Sequence, residues 1–438
     1  MQQASPQLKK TLGPFSLWGL GVGYVISGEY FGWNLGLPLA GSTGMLLATL
    51  LVTLMYAGFA LSYAELACAL PRAGGAFVYA TRAFGPGVGS ITGIAQLIEF
   101  ALAPPAIALA IASYVTQRYP GLDTRAVALS TYLLFTLLNA WGVRQAAVFE
   151  LFVTVLAVFE LVLFACVALP HFDLTAFRRE SLPHGISGAF AALPFAIWFY
   201  LGIEGVANAA EEAERPQRDV AFGFSATLVT LVGLTALVFF SAVGISGWRS
   251  VVYAPGSASA SDAPLPLALA QIVSPSSALF TLLIGIGMLG LIASFHGILL
   301  ASARVTMELG RAGFAPRLLG RVHAASGTPR VALVVNLLLG ALAILSGRTA
   351  DIITLSVLGA LLMYVLALAS LFRLRKREPS LSRPFRAPLY PLLPALALSL
   401  ALLCLTSVAW TAGSLTLVFA ALVLIGAQLR MRRADSSV

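Results

Sequence analysis

The sequence predicts an all-α polytopic membrane protein with twelve transmembrane helices. Three observations predict it. Hydrophobic residues fill 59% of the 438 positions and charged residues only 10%, whereas a soluble globular chain carries about 25% charged residues. Apolar runs recur along the whole length between short polar or Gly/Pro-rich loops. A bilayer crossing needs roughly 20 apolar residues, so twelve crossings use most of the chain and leave no soluble domain of useful size. The third observation is the placement of charge. With the N-terminus in the cytoplasm, 21 of the 27 Lys and Arg fall on the cytoplasmic side and 6 on the other. That bias fits an even helix count with both termini inside. The net charge of +9 therefore reports topology rather than a nucleic-acid partner.

The expected spans lie near 15–40, 43–70, 87–116, 124–143, 147–170, 186–210, 221–246, 267–309, 330–346, 351–373, 389–410 and 413–430. Residues 1–14 and 431–438 are the expected cytoplasmic termini. The first, second and eighth spans are overlong, so they tilt, break or protrude. The first contains "GYVISGEYFGWNLG", residues 23–36, with four glycines and the carboxylate of Glu29. The third contains "GIAQLIEFALAPP", in which Gln96 and Glu99 are three apart and share a helix face. Their other reading is a polar clasp between helices. The fifth carries Glu150 near its start and Glu160 near its middle. The sixth reads "FAIWFYLGIEGVANAAEE", residues 195–212, with Gly202 and Gly205 flanking Glu204. In the eighth, Gly285, Gly287 and Gly290 suit close helix packing, and Ser294, His296 and Ser302 are weaker polar candidates. Glu65, Arg72, Glu211, Glu212 and Glu214 sit near helix ends, where loop anchoring and inner-gate ion pairs are expected.

Spans one and six are thus both interrupted by glycines and both carry an acid at the interruption. Unwound backbone at membrane depth is tolerated only where it lines an enclosed or watery cavity. Matching interruptions in two halves point to a midplane binding site between inverted repeats. The expected halves are residues 15–170 (helices 1–5) and 186–373 (helices 6–10), followed by 389–430 (helices 11–12). An acid at that depth costs about 2.5–3.5 kcal/mol on the insertion scale and marks a functional candidate. Glu29, Glu99, Glu160 and Glu204 are the candidates for binding or proton work.

Other chemistry finds no support in the sequence. None of the three lysines follows a phosphate-binding glycine loop. The four histidines are scattered, without zinc-ligand spacing. Cys68, Cys166 and Cys404 lie in separate apolar runs and are expected to be buried thiols. Lys9 and Lys10 precede a run too long and too glycine-rich for a cleavable signal segment. No enzymatic activity, cofactor or metal is expected.

Three stretches carry a family resemblance: "YAELACALPRAGGAFVYATRAFGP" (63–86), "GIEGVANAAEEAERPQRD" (202–219) and "SARVTMELGRAGFAPRLLGRVHAASGTPRVAL" (302–333). In order and spacing they resemble the amino acid–polyamine–organocation superfamily. The resemblance implies the five-plus-five inverted repeat of leucine-transporter type and secondary transport of small amines or amino acids. "ISGEYFGWN" (26–34) resembles the ethanolamine permease branch, with Glu29 where most members have an aliphatic residue. This implies uptake of ethanolamine across the inner membrane, with Glu29 pairing the ammonium and backbone groups of Ile26, Ser27 and Gly28 beside it. Open helix-end amides favour an anion, so a built-in carboxylate there would also repel a substrate carboxylate. The alternative is that the Glu29 side chain turns away toward a neighbouring helix end or gate. By resemblance, Trp198 is an aromatic gate over the substrate and Glu204 belongs to proton-linked gating. Trp198 also suits a cation–π contact, and its other reading is a packing tryptophan. Phe199, Tyr200 and Tyr30 complete an expected aromatic cage around the amine, their other reading being ordinary core packing, with Gln96, Glu99 and Gly202 nearby. Some proton-coupled relatives place a lysine in the fifth helix; none is present here.

Overall fold

The computed structural model describes residues 10–141, 146–323 and 326–435. Lys9 and Arg144, counted above as cytoplasmic charges, and the chain ends 1–9 and 436–438 lie outside the described residues. Among the described residues the regular structure is helical, with isolated β-bridges only. Seven helices are long and apolar enough to cross a membrane: Trp33–Ala69, Pro86–Arg118, Glu150–His171, Pro216–Gly244, Ala278–Arg311, Thr349–Arg377 and Leu392–Thr411. Arg330–Ser346 and Gly413–Gln428 are shorter apolar helices. The Pro86–Arg118 helix packs along Thr349–Arg377 and Ala278–Arg311, and Pro14–Val25 packs against Pro216–Gly244 and Ala146–Ala168.

Both expected interruptions are present. The first helix runs over Pro14–Val25, turns at Ile26, and continues only as the single turn Ser27–Tyr30. Phe31 is extended, Gly32 takes φ 92°, and a 3₁₀ turn covers Trp33–Gly36. A positive φ of this kind is cheap for glycine and strained for other residues, which places the break where the glycines are. The sixth region is Leu193–Trp198, then turns with Gly202 at φ 98°, then Gly205–Asn208. Ser294 repairs part of the first break, because its hydroxyl donates to the freed Tyr24 carbonyl (2.9 Å) while hydrogen-bonding with the Ser27 hydroxyl (2.8 Å).

The two breaks touch. A Cβ on Gly28 would collide with the Trp198 carbonyl and lie 3.1 Å from Phe199 Cα. Backbone atoms cannot swing aside as a flexible side chain can. Gly28→Val is therefore expected to abolish a monodisperse folded protein in detergent, measured by size-exclusion chromatography. Gly233→Val, at a position with nothing within 4 Å of the added Cβ, should leave the profile unchanged. Equal profiles for the two variants would mean that the crossing is not a tight contact.

Three expectations need correction. The eighth helix begins at Ala278 rather than near 267, because Ser274–Pro275 separates it from the short helix Pro264–Leu269. Ser277 then caps it by accepting from the Phe280 amide (3.1 Å). The second helix begins earlier than expected, at Leu37, and kinks at Gly41 (φ 68°). Cys166 is exposed, unlike Cys68 and Cys404. It lies one turn beyond Val162 on the stripe of exposed Phe152, Val155 and Phe159, the apolar face that this helix turns outward.

Near the start of the described chain, Thr11 and Leu12 donate to the Glu212 carbonyl (2.9 and 3.0 Å), and the Glu214 amide donates back to Leu12 (3.0 Å). Arg304 pairs with Glu212 (3.1 Å). Glu65 is fully buried and receives Arg375 in bidentate fashion (2.8 and 2.5 Å), with Arg383 at 3.3 Å and the Ala387 amide at 2.7 Å. This anchors the segment after Thr349–Arg377 onto the second helix, in line with the loop-anchoring role expected of these end-of-helix charges.

Candidate functional site

A small cavity of about 10 Å³ lies where the two breaks cross. Tyr24 and Ser27 line it from the first break, and Trp198, Leu201 and Gly202 from the sixth region. Glu99, Phe100, Ala103 and Ile107 come from Pro86–Arg118, and Ile298 from Ala278–Arg311. Its wall is apolar except for a few polar groups, as small-molecule sites usually are. Glu99 is the acid among them. It is 1% exposed, and neither carboxyl oxygen receives a hydrogen from a donor group. Trp198 Nε1 has no acceptor either, and the Trp198 ring is held edge-on against Phe31 (5.5 Å between centroids).

Glu204 sits beside Glu99. Two buried carboxyl groups side by side cannot both hold a negative charge cheaply. Glu204 Oε2 also accepts from the Tyr364 hydroxyl (3.0 Å), which in turn meets the Tyr56 hydroxyl (3.0 Å). Among the described residues no Lys, Arg or His forms an ion pair with either acid.

Of the residues singled out from sequence, Ser27, Glu99, Trp198 and Gly202 come together on the cavity wall, with Glu204 immediately behind Glu99. The others are placed elsewhere. Glu29 is fully buried but turned away from the cavity, and its Oε1 accepts from Thr235 of Pro216–Gly244 (2.9 Å). That is the turned-away alternative for this side chain. Tyr30 does not join an aromatic cage. Its hydroxyl donates to Glu160 Oε2 (2.7 Å), and its ring covers Gly287 and Gly290. Glu160 is thereby a clasp between the first break and the fifth helix. Phe199 stacks on Trp33 (5.9 Å, 11°) rather than facing the cavity. Gly28 forms the crossing, Ile26 is buried at the turn before it, and Gln96 lies one turn from Glu99 along the helix. Glu150 faces His296 at 3.9 Å, and Ser302 accepts from Asn336 (2.8 Å).

Tyr364, Tyr24, Ile107 and Ile298 were not singled out from sequence. Tyr and Ile at helical spacing in an apolar run look like ordinary core, so nothing but their neighbours in space distinguishes them.

The amino acid permease family model matches residues 12–428. The chain belongs to the amino acid permease family. Over 92% of its length this permease is 28% identical to an uncharacterized transporter of Rhizobium meliloti (strain 1021), covering 86% of that protein. It is 27% identical to the branched-chain amino acid permease BcaP of Bacillus subtilis (strain 168), covering 92% of the permease and 89% of BcaP. It is 23% identical to the methylthioribose transporter of the same organism, over the same two shares. Its relatives are transporters, and its apolar helices make it a multi-pass membrane protein.

Proposed function

We propose that this permease moves a small primary amine by alternating access, with the ammonium paired to Glu99 and Trp198 closing over it. The observation that carries this reading is Glu99, a buried carboxyl on the cavity wall that receives no donor from the protein. A buried carboxylate without a partner is expensive, and an ammonium is the complementary ligand. The apolar wall of Phe100, Ala103, Ile107 and Ile298 suits a short aliphatic remainder. The wider architecture in this reading is twelve spans in two inverted halves with two added helices, set in the inner membrane with cytoplasmic termini.

An amino acid is the first substrate reading. Glu29 is hydrogen-bonded to Thr235, so its carboxyl does not occupy the place that a substrate carboxylate would take at the first break. The name of BcaP points the same way. Ethanolamine is the second reading, carried by "ISGEYFGWN" at 26–34. Coupling to protons rests on the Glu99–Glu204 pair. Arrival of an ammonium at Glu99 competes with a proton taken up by the two neighbouring acids, so binding and protonation are linked.

The test is uptake of labelled leucine and ethanolamine into proteoliposomes, competed by leucine, alanine, lysine, ethanolamine, choline and an amine-free carboxylic acid. Primary amines should compete, while choline and the amine-free acid should not. Equal competition by the amine-free acid would sink the Glu99 assignment. Ethanolamine outcompeting every amino acid would select the second reading. Binding without counterflow would leave a sensor instead of a transporter.

A further inference from the structure

Below the carboxyl pair, toward the face where residues 11–12 join 212–214, lies a second set of buried polar atoms. Gln96 is three residues before Glu99 and Asn208 four residues after Glu204, so each lies one helical turn from its acid. Gln96 is 0% and Asn208 2% exposed, yet both polar atoms of each side-chain amide lack a hydrogen-bond partner. The hydroxyls of Tyr63 and Tyr79, whose rings are 5.4 Å apart, are likewise buried and unpartnered.

These groups converge rather than scatter. Gly75 sits at φ 57°, and a Cβ placed there would lie 2.9 Å from Asn208 Oδ1, 3.0 Å from Tyr63 Oη and 3.5 Å from Gln96 Nε2. Atoms from three separate elements therefore converge on one side of a glycine, so closely that an added side chain would press on them. Buried donors and acceptors are nearly always satisfied by protein or ordered water. A dry cluster of two amides and a hydroxyl would carry the full desolvation cost of each group. Water needs a polar, roomy site with several partners, and this cluster offers both donors and acceptors.

We propose that Tyr63, Gly75, Gln96 and Asn208 form a water-binding chamber that carries protons between the Glu99–Glu204 pair and the face where the described chain begins. This assigns Gln96 to the proton's route rather than to the substrate. The proton leaves a carboxyl for a chamber water, and a water at the far end releases one to the solution, so no charge is created or lost. The route rests on the reading of Glu99 and Glu204 as a proton-bearing pair; the hydration of the chamber does not.

Two measurements test the two parts. X-ray hydroxyl-radical footprinting of the wild-type protein should label Tyr63 despite its burial, because labelling at a buried site needs adjacent water. Tyr132, equally buried and hydrogen-bonded to the Asn336 carbonyl (3.2 Å), should stay unlabelled. An unlabelled Tyr63 overturns the chamber. In proteoliposomes, Asn208→Leu and Tyr63→Phe should reduce proton-gradient-driven uptake to the level seen without a gradient, while substrate counterflow persists. Asn208→Ser should restore the response. If counterflow falls as far as driven uptake, the residues are structural and the route is overturned. If the wild type shows no response to a proton gradient, the coupling reading and the route both fall, while the labelling still decides the chamber.

Discussion

Glu99→Gln protein, reconstituted in liposomes, is expected to lose saturable uptake of its amine while remaining folded. Glutamine keeps the shape of the acid and can hydrogen-bond to Glu204, so the helix contacts around it survive. What it removes is the one carboxyl group among the cavity-wall residues. Losing one member of a buried, hydrogen-bonded charge pair costs about 2–5 kcal/mol, which is roughly a 30-fold or greater loss of affinity. Thermal-shift titration and counterflow should both show it. Glu29→Gln is the contrasting variant. Its carboxyl contacts Thr235 and not the cavity, so affinity should stay within a few-fold of wild type. The reverse pattern, with binding lost in Glu29→Gln and normal in Glu99→Gln, would move the ammonium to the first break.

A large loss of stability is expected from Glu65→Ala. Glu65 is fully buried and holds Arg375, Arg383 and the Ala387 amide together. Arg383 has a side chain only 8% exposed. Removing the acid leaves its guanidinium buried without a counter-charge, which costs about 3–5 kcal/mol. Arg375, stacked over Tyr390 at 3.8 Å, would lose its bidentate partner as well. The midpoint of thermal unfolding in detergent, followed by tryptophan fluorescence, should fall by many degrees. Glu378→Ala removes the exposed pair with Arg82, whose side chains are 43% and 32% exposed. Such a surface pair contributes only about 0–1 kcal/mol, so that midpoint should barely move. Similar midpoints for the two variants would show that the Glu65 cluster is not an anchor.

Much of this permease was legible in its sequence. Apolar runs near the length of a bilayer crossing announce helices regardless of their neighbours, because unpaired backbone is too costly in lipid. The breaks were legible for the same reason. Glycines and an acid inside an apolar run make sense only beside an enclosed cavity, and Gly32 and Gly202 do take the positive φ that other side chains resist. Ser27, Glu99, Trp198 and Gly202 were found from residue type, depth and resemblance, and they share one cavity.

The direction of each side chain was decided only by the tertiary structure. Glu29 and Glu99 look equally functional as acids in apolar spans. Glu29 meets a threonine hydroxyl on the Pro216–Gly244 helix, which satisfies one of its oxygens and turns it from the cavity. Glu99 meets no donor on the protein and faces both the cavity and Glu204. Tyr30 and Glu160, 130 residues apart, satisfy each other. Phe199 and Trp33 do the same by stacking. Sequence periodicity reports which residues lie on one face of one helix. It carries no information on which other helix that face meets, and a buried polar group's role is set by whether that neighbour satisfies it.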